Sequence, residues 1–339
     1  MSQPALKISD NKNTASNGGS PLVEVRGLKK YFPIHAGFFG RMVGSVRAVD
    51  GVSFAIQRGK TLGLVGESGC GKTTVGKTIL RLTDITDGEV TFDGESVHAL
   101  SRKELQPLRS RMQIIFQDPY SSLSPRLPIG EIIAEAVREH GIVPRAEINS
   151  YVTKVMRSCE LQAYHKDRYP HEFSGGQRQR ICIARALALN PDFIVCDEPV
   201  SALDVSIQAQ IINLLADLQQ KYGMAYLFIS HDLSVVEHIA DAVGVMYLGQ
   251  LVEYGECREI FRNPLHPYTK ALFSAIPIPD PTVRRERIIL EGSLPSPAQS
   301  FEGCRFQSRC KERMPRCQTE KPSERGVGGE HRIICHLYD

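Results

Sequence analysis

Hydrophobic positions along the chain change period several times, and each change marks an element. Residues 22–25 and 46–56 alternate apolar, often β-branched side chains with polar ones, which predicts antiparallel strands. Residues 61–65 form a continuous apolar run, the pattern of a strand buried on both faces of a parallel sheet. A helix is expected over residues 73–82, and further strands over 88–92 and 113–116. Apolar residues then fall at helical spacing (Ile132, Ile133, Val137, later Val152, Val155, Met156), predicting a helical subdomain inserted over 119–180. Strands resume at 193–196 and 226–229, and strands alternating with helices imply an α/β fold. From Asn263 the pattern breaks. Pro264, Pro267, Pro277, Pro279, Pro281, Pro295 and Pro297 predict an irregular, partly extended segment wrapping a surface instead of a second packed core.

Composition narrows the class. The chain has 339 residues, 42% hydrophobic and 23% charged, as in a soluble globular protein with a main domain and an appendage. A net charge of +3 reads as a mixed-sign surface and does not argue for a nucleic-acid partner. No apolar run is long enough to span a membrane, and the start Met1-Ser2-Gln3-Pro4 does not read as a secretory signal. Residues 1–20, rich in Asn, Ser and Gly near their end, read as a disordered tail. Of nine cysteines, Cys70, Cys159, Cys182, Cys196 and Cys257 are scattered, as expected of buried free thiols.

The strand at 61–65 runs into Gly66-Glu67-Ser68-Gly69-Cys70-Gly71-Lys72-Thr73, with Thr74 next, and then into the helix. This is the G-x-x-x-x-G-K-T phosphate loop in its required context. Its glycines let successive N–H groups curl around phosphate oxygens, Lys72 is expected on the β- and γ-phosphates of ATP, and the Thr73 hydroxyl on Mg²⁺. The apolar strand at 193–196 ends in Asp197 and Glu198. Asp197 is expected in the Mg²⁺ shell and Glu198 to polarise the attacking water, although a strand running into a solvated acidic turn gives the same local pattern. Gln117 and His231 follow two more strands. Gln117 can ligate Mg²⁺ and orient water, and His231 is placed to contact the γ-phosphate. Ser174-Gly175-Gly176-Gln177, behind Phe173, opens a helix with bare N–H groups and is a second anion site. One chain cannot use both sites on one ATP. A head-to-tail dimer, with ATP between the loop of one subunit and this motif of the other, uses both.

These residues resemble the ATP-binding cassette (ABC) family over residues 23–256. The phosphate loop corresponds to Walker A, Gln117 to the Q-loop, residues 173–177 to the signature, 193–198 to Walker B, Ser201-Ala202-Leu203-Asp204 to the D-loop, and His231 to the switch histidine. The resemblance implies a P-loop nucleotide-hydrolase core with an antiparallel β subdomain, an inserted helical subdomain, and an aromatic stacked on adenine, Phe32 with Tyr31 as alternative. Phe116-Gln117-Asp118-Pro119-Tyr120-Ser121-Ser122-Leu123-Ser124-Pro125-Arg126 and Asn263-Pro264-Leu265-His266-Pro267-Tyr268-Thr269 resemble the subgroup serving bacterial dipeptide, oligopeptide and nickel importers, and residues 294–335 resemble its C-terminal extension. That implies a transport ATPase peripheral on the cytoplasmic face of the bacterial inner membrane. It would pair with a homologous ATPase subunit and two permeases, fed by a periplasmic substrate-binding protein. The alternative is a soluble cassette protein acting on nucleic acid or ribosomes, but this chain has one cassette and no sustained heptads.

The expected organisation is a tail at 1–20, a nucleotide-binding domain at 21–262 and an irregular extension at 263–339. In the extension Cys304, Cys310, Cys317 and Cys335 have the spacing C-x₅-C-x₆-C-x₁₇-C, which suggests a metal staple. Arg305, Arg309, Lys311, Arg313 and Arg316 would offset thiolate charge. A [4Fe–4S] cluster is the expectation, which the resemblance to peptide-importer ATPases also implies, with Zn²⁺ or reduced thiols as alternatives and His331 or His336 as substitute ligands.

Overall fold

The computed structural model describes residues 19–36, 41–276, 287–292, 295–296, 298–299 and 301–339. Residues 1–18 of the expected tail and the prolines at 277, 279, 281 and 297 lie outside them. In chain order the elements are β1 (Val23–Ala36), β2 (Arg41–Ile56), β3 (Thr61–Val65), α1 (Lys72–Ile79), β4 (Asp87–Phe92), β5 (Glu95–Ser96), α2 (Arg102–Arg111) and β6 (Met112–Ile115). Then come α3 (Ile129–Glu139), α4 (Ile148–Ser158), α5 (Gly175–Leu187), β7 (Phe193–Asp197), α6 (Val205–Tyr222), β8 (Ala225–Ile229), α7 (Leu233–Ile239), β9 (Ala242–Tyr247) and β10 (Gln250–Glu256). The chain closes with α8 (Cys257–Arg262), α9 (Pro267–Ser274), α10 (Arg316–Thr319), β11 (Glu324–Gly328) and β12 (His331–Ile334).

Two compact units form. The first is built on Ala99–Leu227, with Ile56–Lys60 and Leu22. Its sheet runs β8-β7-β6, with β6 parallel to β7 from Met112↔Phe193 to Ile115↔Cys196. Every residue of β7 is buried, which is why its sequence is continuously apolar from Phe193 to Cys196 instead of alternating. Helices α3 and α4 lie between β6 and β7 in the chain, as the helical spacing predicts. Tyr151 of α4 is tied to the end of α5, its hydroxyl donating to the Ala188 carbonyl at 2.9 Å.

The second unit is Val23–Ala55, Thr61–His98 and Phe228–Asp339. It holds a four-stranded sheet of order β2-β1-β4-β5 and a second of order β11-β12-β10-β9-β3. β3 is parallel to β9, from Leu62↔Ala242 to Val65↔Val245, and is buried throughout. On its other side the Ser230 N–H, just past β8, donates to the Leu64 carbonyl at 3.3 Å.

The antiparallel strands are longer than expected: β1 spans 14 residues and β2 spans 16. The extension differs more. Its C-terminus pairs with the sheet, β12 running antiparallel to β10 at Glu253↔Ile333 and Tyr254↔Arg332, with β11 beyond it. A short strand whose inward positions are His331 and Ile333 buries too few apolar residues to show as a strand by pattern, and Gly328 and Gly329, at the end of β11 and just past it, read as loop.

Candidate nucleotide site and its support

The phosphate loop sits in the second unit, between β3 and α1. Two glycines show why the sequence needs them. Gly66 has φ 150° and a Cβ there would stand 2.1 Å from the Met246 carbonyl oxygen; Gly71 caps α1 with φ 110°, and its Cβ would stand 2.0 Å from that of Ala48. No other residue fits either place. Lys72 is 4% exposed, and its ammonium donates to the carbonyls of Gly66 at 2.8 Å and Glu67 at 3.0 Å. Ser68 and Gly69 are exposed at the tip, Thr73 and Thr74 half-buried in the first turn of α1. Burial pushes the Cys70 thiol up, against the pull of the Lys72 charge, so it is a neutral packing group. His231, exposed just after β8, belongs to the same unit, as does the α7 cap in which Asp232 accepts from the Ser234 N–H at 3.0 Å.

Sequence reasoning missed what holds Glu67. Its N–H donates to the Tyr268 hydroxyl at 2.9 Å, and its carboxylate pairs with Arg309 at 2.8 Å. Both partners come from beyond position 262. Arg309 is 9% exposed, and its hydrogen bond to Glu67 raises it above an already high arginine value, so the pair stays charged. Four residues earlier Arg305 reaches Asp50 and the Leu248 carbonyl, while the Tyr31 hydroxyl also donates to Asp50. Desolvation works against the Asp50 charge, but the Tyr31 bond and Arg305 outweigh it and lower its carboxyl below the usual range. Phe306 packs between the two arginines' anchors, 5.2 Å from the Tyr247 ring, 5.5 Å from Tyr268 and 5.6 Å from His266. The expectation that Arg305 and Arg309 neutralise thiolates is therefore corrected: their charge is used on Asp50 and Glu67. Arg316 likewise faces Asp339, at 3.4 Å.

The first unit holds the other expected residues. β7 carries Asp197, 6% exposed, to its C-terminal end. Glu198 follows with φ 48°, a left-handed conformation that costs a non-glycine residue about 1 kcal/mol or more. That turn sets its carboxylate against Gln117, whose amide donates to it at 2.9 Å. Ser174 caps α5 in a reciprocal box: its hydroxyl accepts from the Gln177 N–H at 3.4 Å, and the Gln177 side chain accepts from the Ser174 N–H at 3.1 Å. Phe173 is buried edge-on to His165 at 5.2 Å, while Ser174 and Gly175 face solvent. On β1 of the second unit, Phe32 is 40% exposed with the Lys30 ammonium 4.9 Å from its ring centre.

The four C-terminal cysteines are the residues expected to hold a metal ion. Among the described residues no group of three or more His, Cys, Asp or Glu side chains is placed to hold a metal ion, and all four thiols are free. They lie within electrostatic reach of one another, and burial above all pushes Cys304 and Cys335 up to about 11. Cys317 is engaged by the Met314 N–H at 3.4 Å. The substitute ligands are committed elsewhere: His331 lies 2.9 Å from Glu253, and His336 lies 2.7 Å from Asp339.

A family described as ABC transporter matches residues 49–201, and one described as oligopeptide/dipeptide transporter, C-terminal region, matches residues 252–317. The chain is 51% identical over 328 residues to the oligopeptide transport ATP-binding protein AppF of Bacillus subtilis, covering 96% of this chain and 99% of that one. It is 52% identical over 316 residues to a putative peptide import ATP-binding protein of Brucella ovis, covering 93% and 98%. Among solved structures, the ATP-binding cassette MJ0796 in a post-hydrolysis dimeric state with ADP and Pi aligns at a TM-score of 0.62 and 27% identity, covering 70% of this chain and 99% of that one. The chain thus belongs to the ABC transporter family, on the branch that carries the oligopeptide/dipeptide transporter C-terminal region.

Proposed function

We propose that this chain is the ATP-hydrolysing subunit of a peptide importer, working as one half of a head-to-tail ATPase pair on two permeases at the cytoplasmic face of a bacterial inner membrane. The observation that carries the hydrolytic reading is the Gln117–Glu198 contact at the end of β7: a carboxylate turned by a left-handed backbone and aimed by an amide has the chemistry of a water-orienting base. Lys72 gives up its two carbonyl partners for β- and γ-phosphate oxygens. Thr73, Gln117 and Asp197 are oxygen donors that suit Mg²⁺, which supplies charge neutralisation on the phosphates when bound. His231 reads the γ-phosphate, Phe32 stacks on adenine, and Ser174, Gly175, Gly176 and Gln177 cap the nucleotide held by the partner's loop. The partner is a homologous ATPase subunit, and a substrate-binding protein delivers the cargo.

Peptide as cargo rests on the names of relatives such as the Bacillus subtilis and Brucella ovis proteins. It is tested by reconstituting the chain with its co-purifying membrane proteins in proteoliposomes. ATP-dependent uptake of labelled di- or oligopeptide supports the reading; uptake of nickel alone reassigns the cargo; recovery only in a soluble nucleic-acid complex overturns it. A [4Fe–4S] cluster or Zn²⁺ at Cys304, Cys310, Cys317 and Cys335 has only the mutual nearness of the thiols in its favour, and iron and zinc content of anaerobically purified protein decides it.

A further inference from the structure

We propose that the C-terminal extension is a brace for the phosphate loop, with Arg309 and Tyr268 as positioning residues for ATP binding. The inference rests on the phosphate-loop reading of residues 66–73 and adds a role for a segment that has none in that reading.

Glu67 is gripped at three points. Tyr268 holds its N–H at 2.9 Å, Arg309 its carboxylate at 2.8 Å, and Lys72 its carbonyl at 3.0 Å. The third grip is lost when Lys72 turns to phosphate, and so is the Lys72 bond to the Gly66 carbonyl at 2.8 Å. At that moment the loop, with glycines at 66, 69 and 71, would be free to spread, and ordering it again would cost conformational entropy. The two grips from the extension do not involve Lys72 and persist. They leave the loop preorganised for the anion, and preorganisation strengthens binding by removing an ordering cost.

The far end of the loop is held by the same short segment. The Cys70 carbonyl accepts from the Gly249 N–H at 2.9 Å, and the Gly249 carbonyl accepts from the Asp50 N–H at 2.8 Å. Both sides of that arrangement are pinned by Arg305, which donates to the Leu248 carbonyl and pairs with Asp50. Leu248 itself has φ 42°, a conformation that needs such support. Arg305 and Arg309 flank Phe306, 2% exposed in its aromatic cluster, so one turn of chain fixes both ends of the loop as a rigid piece. Burial makes these contacts strong: both arginine side chains are 9% exposed, where loss of one partner strands a charge.

The test measures ATP affinity by calorimetry in Arg309→Met, Glu67→Gln, Tyr268→Phe and the double variant Arg309→Met/Glu67→Gln, with thermal unfolding alongside. Each single variant should weaken ATP binding about tenfold, which is about 1.4 kcal/mol. The double variant should be no weaker than the worse single one, because both remove one contact, and Arg309→Lys should recover part of the loss. Exposed Arg313→Met is the control and should bind as the parent does. Unchanged affinity in Arg309→Met and Tyr268→Phe, or additive losses in the double variant, overturns the brace. Should Arg309→Met not fold, Tyr268→Phe and Glu67→Gln decide alone. Lys72→Ala separates the two levels: if it too binds ATP normally, the phosphate-loop reading fails; if it alone loses ATP, only the brace fails.

Discussion

Lowering the pH should loosen the extension from the nucleotide core through one residue, His266. This histidine is 1% exposed, and its Nδ1 accepts the Tyr268 N–H at 3.0 Å as the cap of α9. Burial, with the nearby Lys270 charge adding to it, pushes its pKa down to about 3. In the unfolded chain the value is about 6.5. Between these two values the unfolded state binds a proton and the folded state does not, so stability is intact above pH 6.5 and falls as the pH drops towards 3. The loss is about 1.4 kcal/mol per pH unit, so about 2 kcal/mol by pH 5. His266→Asn keeps an oxygen that can accept the Tyr268 N–H but cannot titrate. Urea unfolding followed from pH 7.5 to pH 5 should show the parent losing about 2 kcal/mol more than the variant. Absolute stabilities will differ, because Asn leaves space where the ring packed; the slopes carry the information. Parallel curves for parent and variant would refute the reasoning.

Three further outcomes are expected. Glu198→Gln should bind ATP as the parent does, cut phosphate release by about 10²–10³-fold, and accumulate a closed dimer on size-exclusion; ordinary turnover removes Glu198 from its role. Gly71→Ala combines φ 110° with a Cβ 2.0 Å from the Ala48 carbonyl oxygen, and should lose ATP binding by more than tenfold in the same titration. Glu253→Gln places an amide group among three donors: the Leu265 N–H at 2.8 Å, the His266 N–H at 2.9 Å and the His331 ring nitrogen at 2.9 Å. It should cost about 3 kcal/mol in urea unfolding, and a change below about 1 kcal/mol would mean that Glu253 does not fasten this corner.

What could be read in the sequence was local. The strands at Thr61–Val65 and Phe193–Asp197 are buried throughout, so the apolar runs at 61–65 and 193–196 are unbroken and mark them to within one residue. The phosphate loop and the Ser174 cap are made by residues a few positions apart, and spacing alone specifies them. The Gln117–Glu198 contact joins two such strand ends across 81 positions, and the parallel pairing of β6 with β7 makes it foreseeable. The left-handed turn at Glu198 has no signal in the residue type. The extension was misread because its prolines look like loop and its basic residues look like counter-charges for thiolates. Nothing local to Arg309 tells that its partner lies 242 positions earlier.

That misreading has a physical cause which also explains why the extension is needed. A phosphate loop must present N–H groups to an anion, so it cannot bury much apolar surface of its own. Here Ser68 and Gly69 are exposed, and the apolar contact comes from Cys70 beneath. Rigidity must then be imported from groups that bind the loop's outer side, and charged hydrogen bonds from a well-packed neighbour do this without covering the phosphate face. Arg309 and Tyr268 answer that requirement: both hold Glu67, Tyr268 at its N–H and Arg309 at its carboxylate. The packing around Phe306, Tyr247, Tyr268 and His266 is what keeps them in place. A change that disturbs this aromatic cluster should therefore reach ATP affinity before it touches the residues that surround the scissile phosphate.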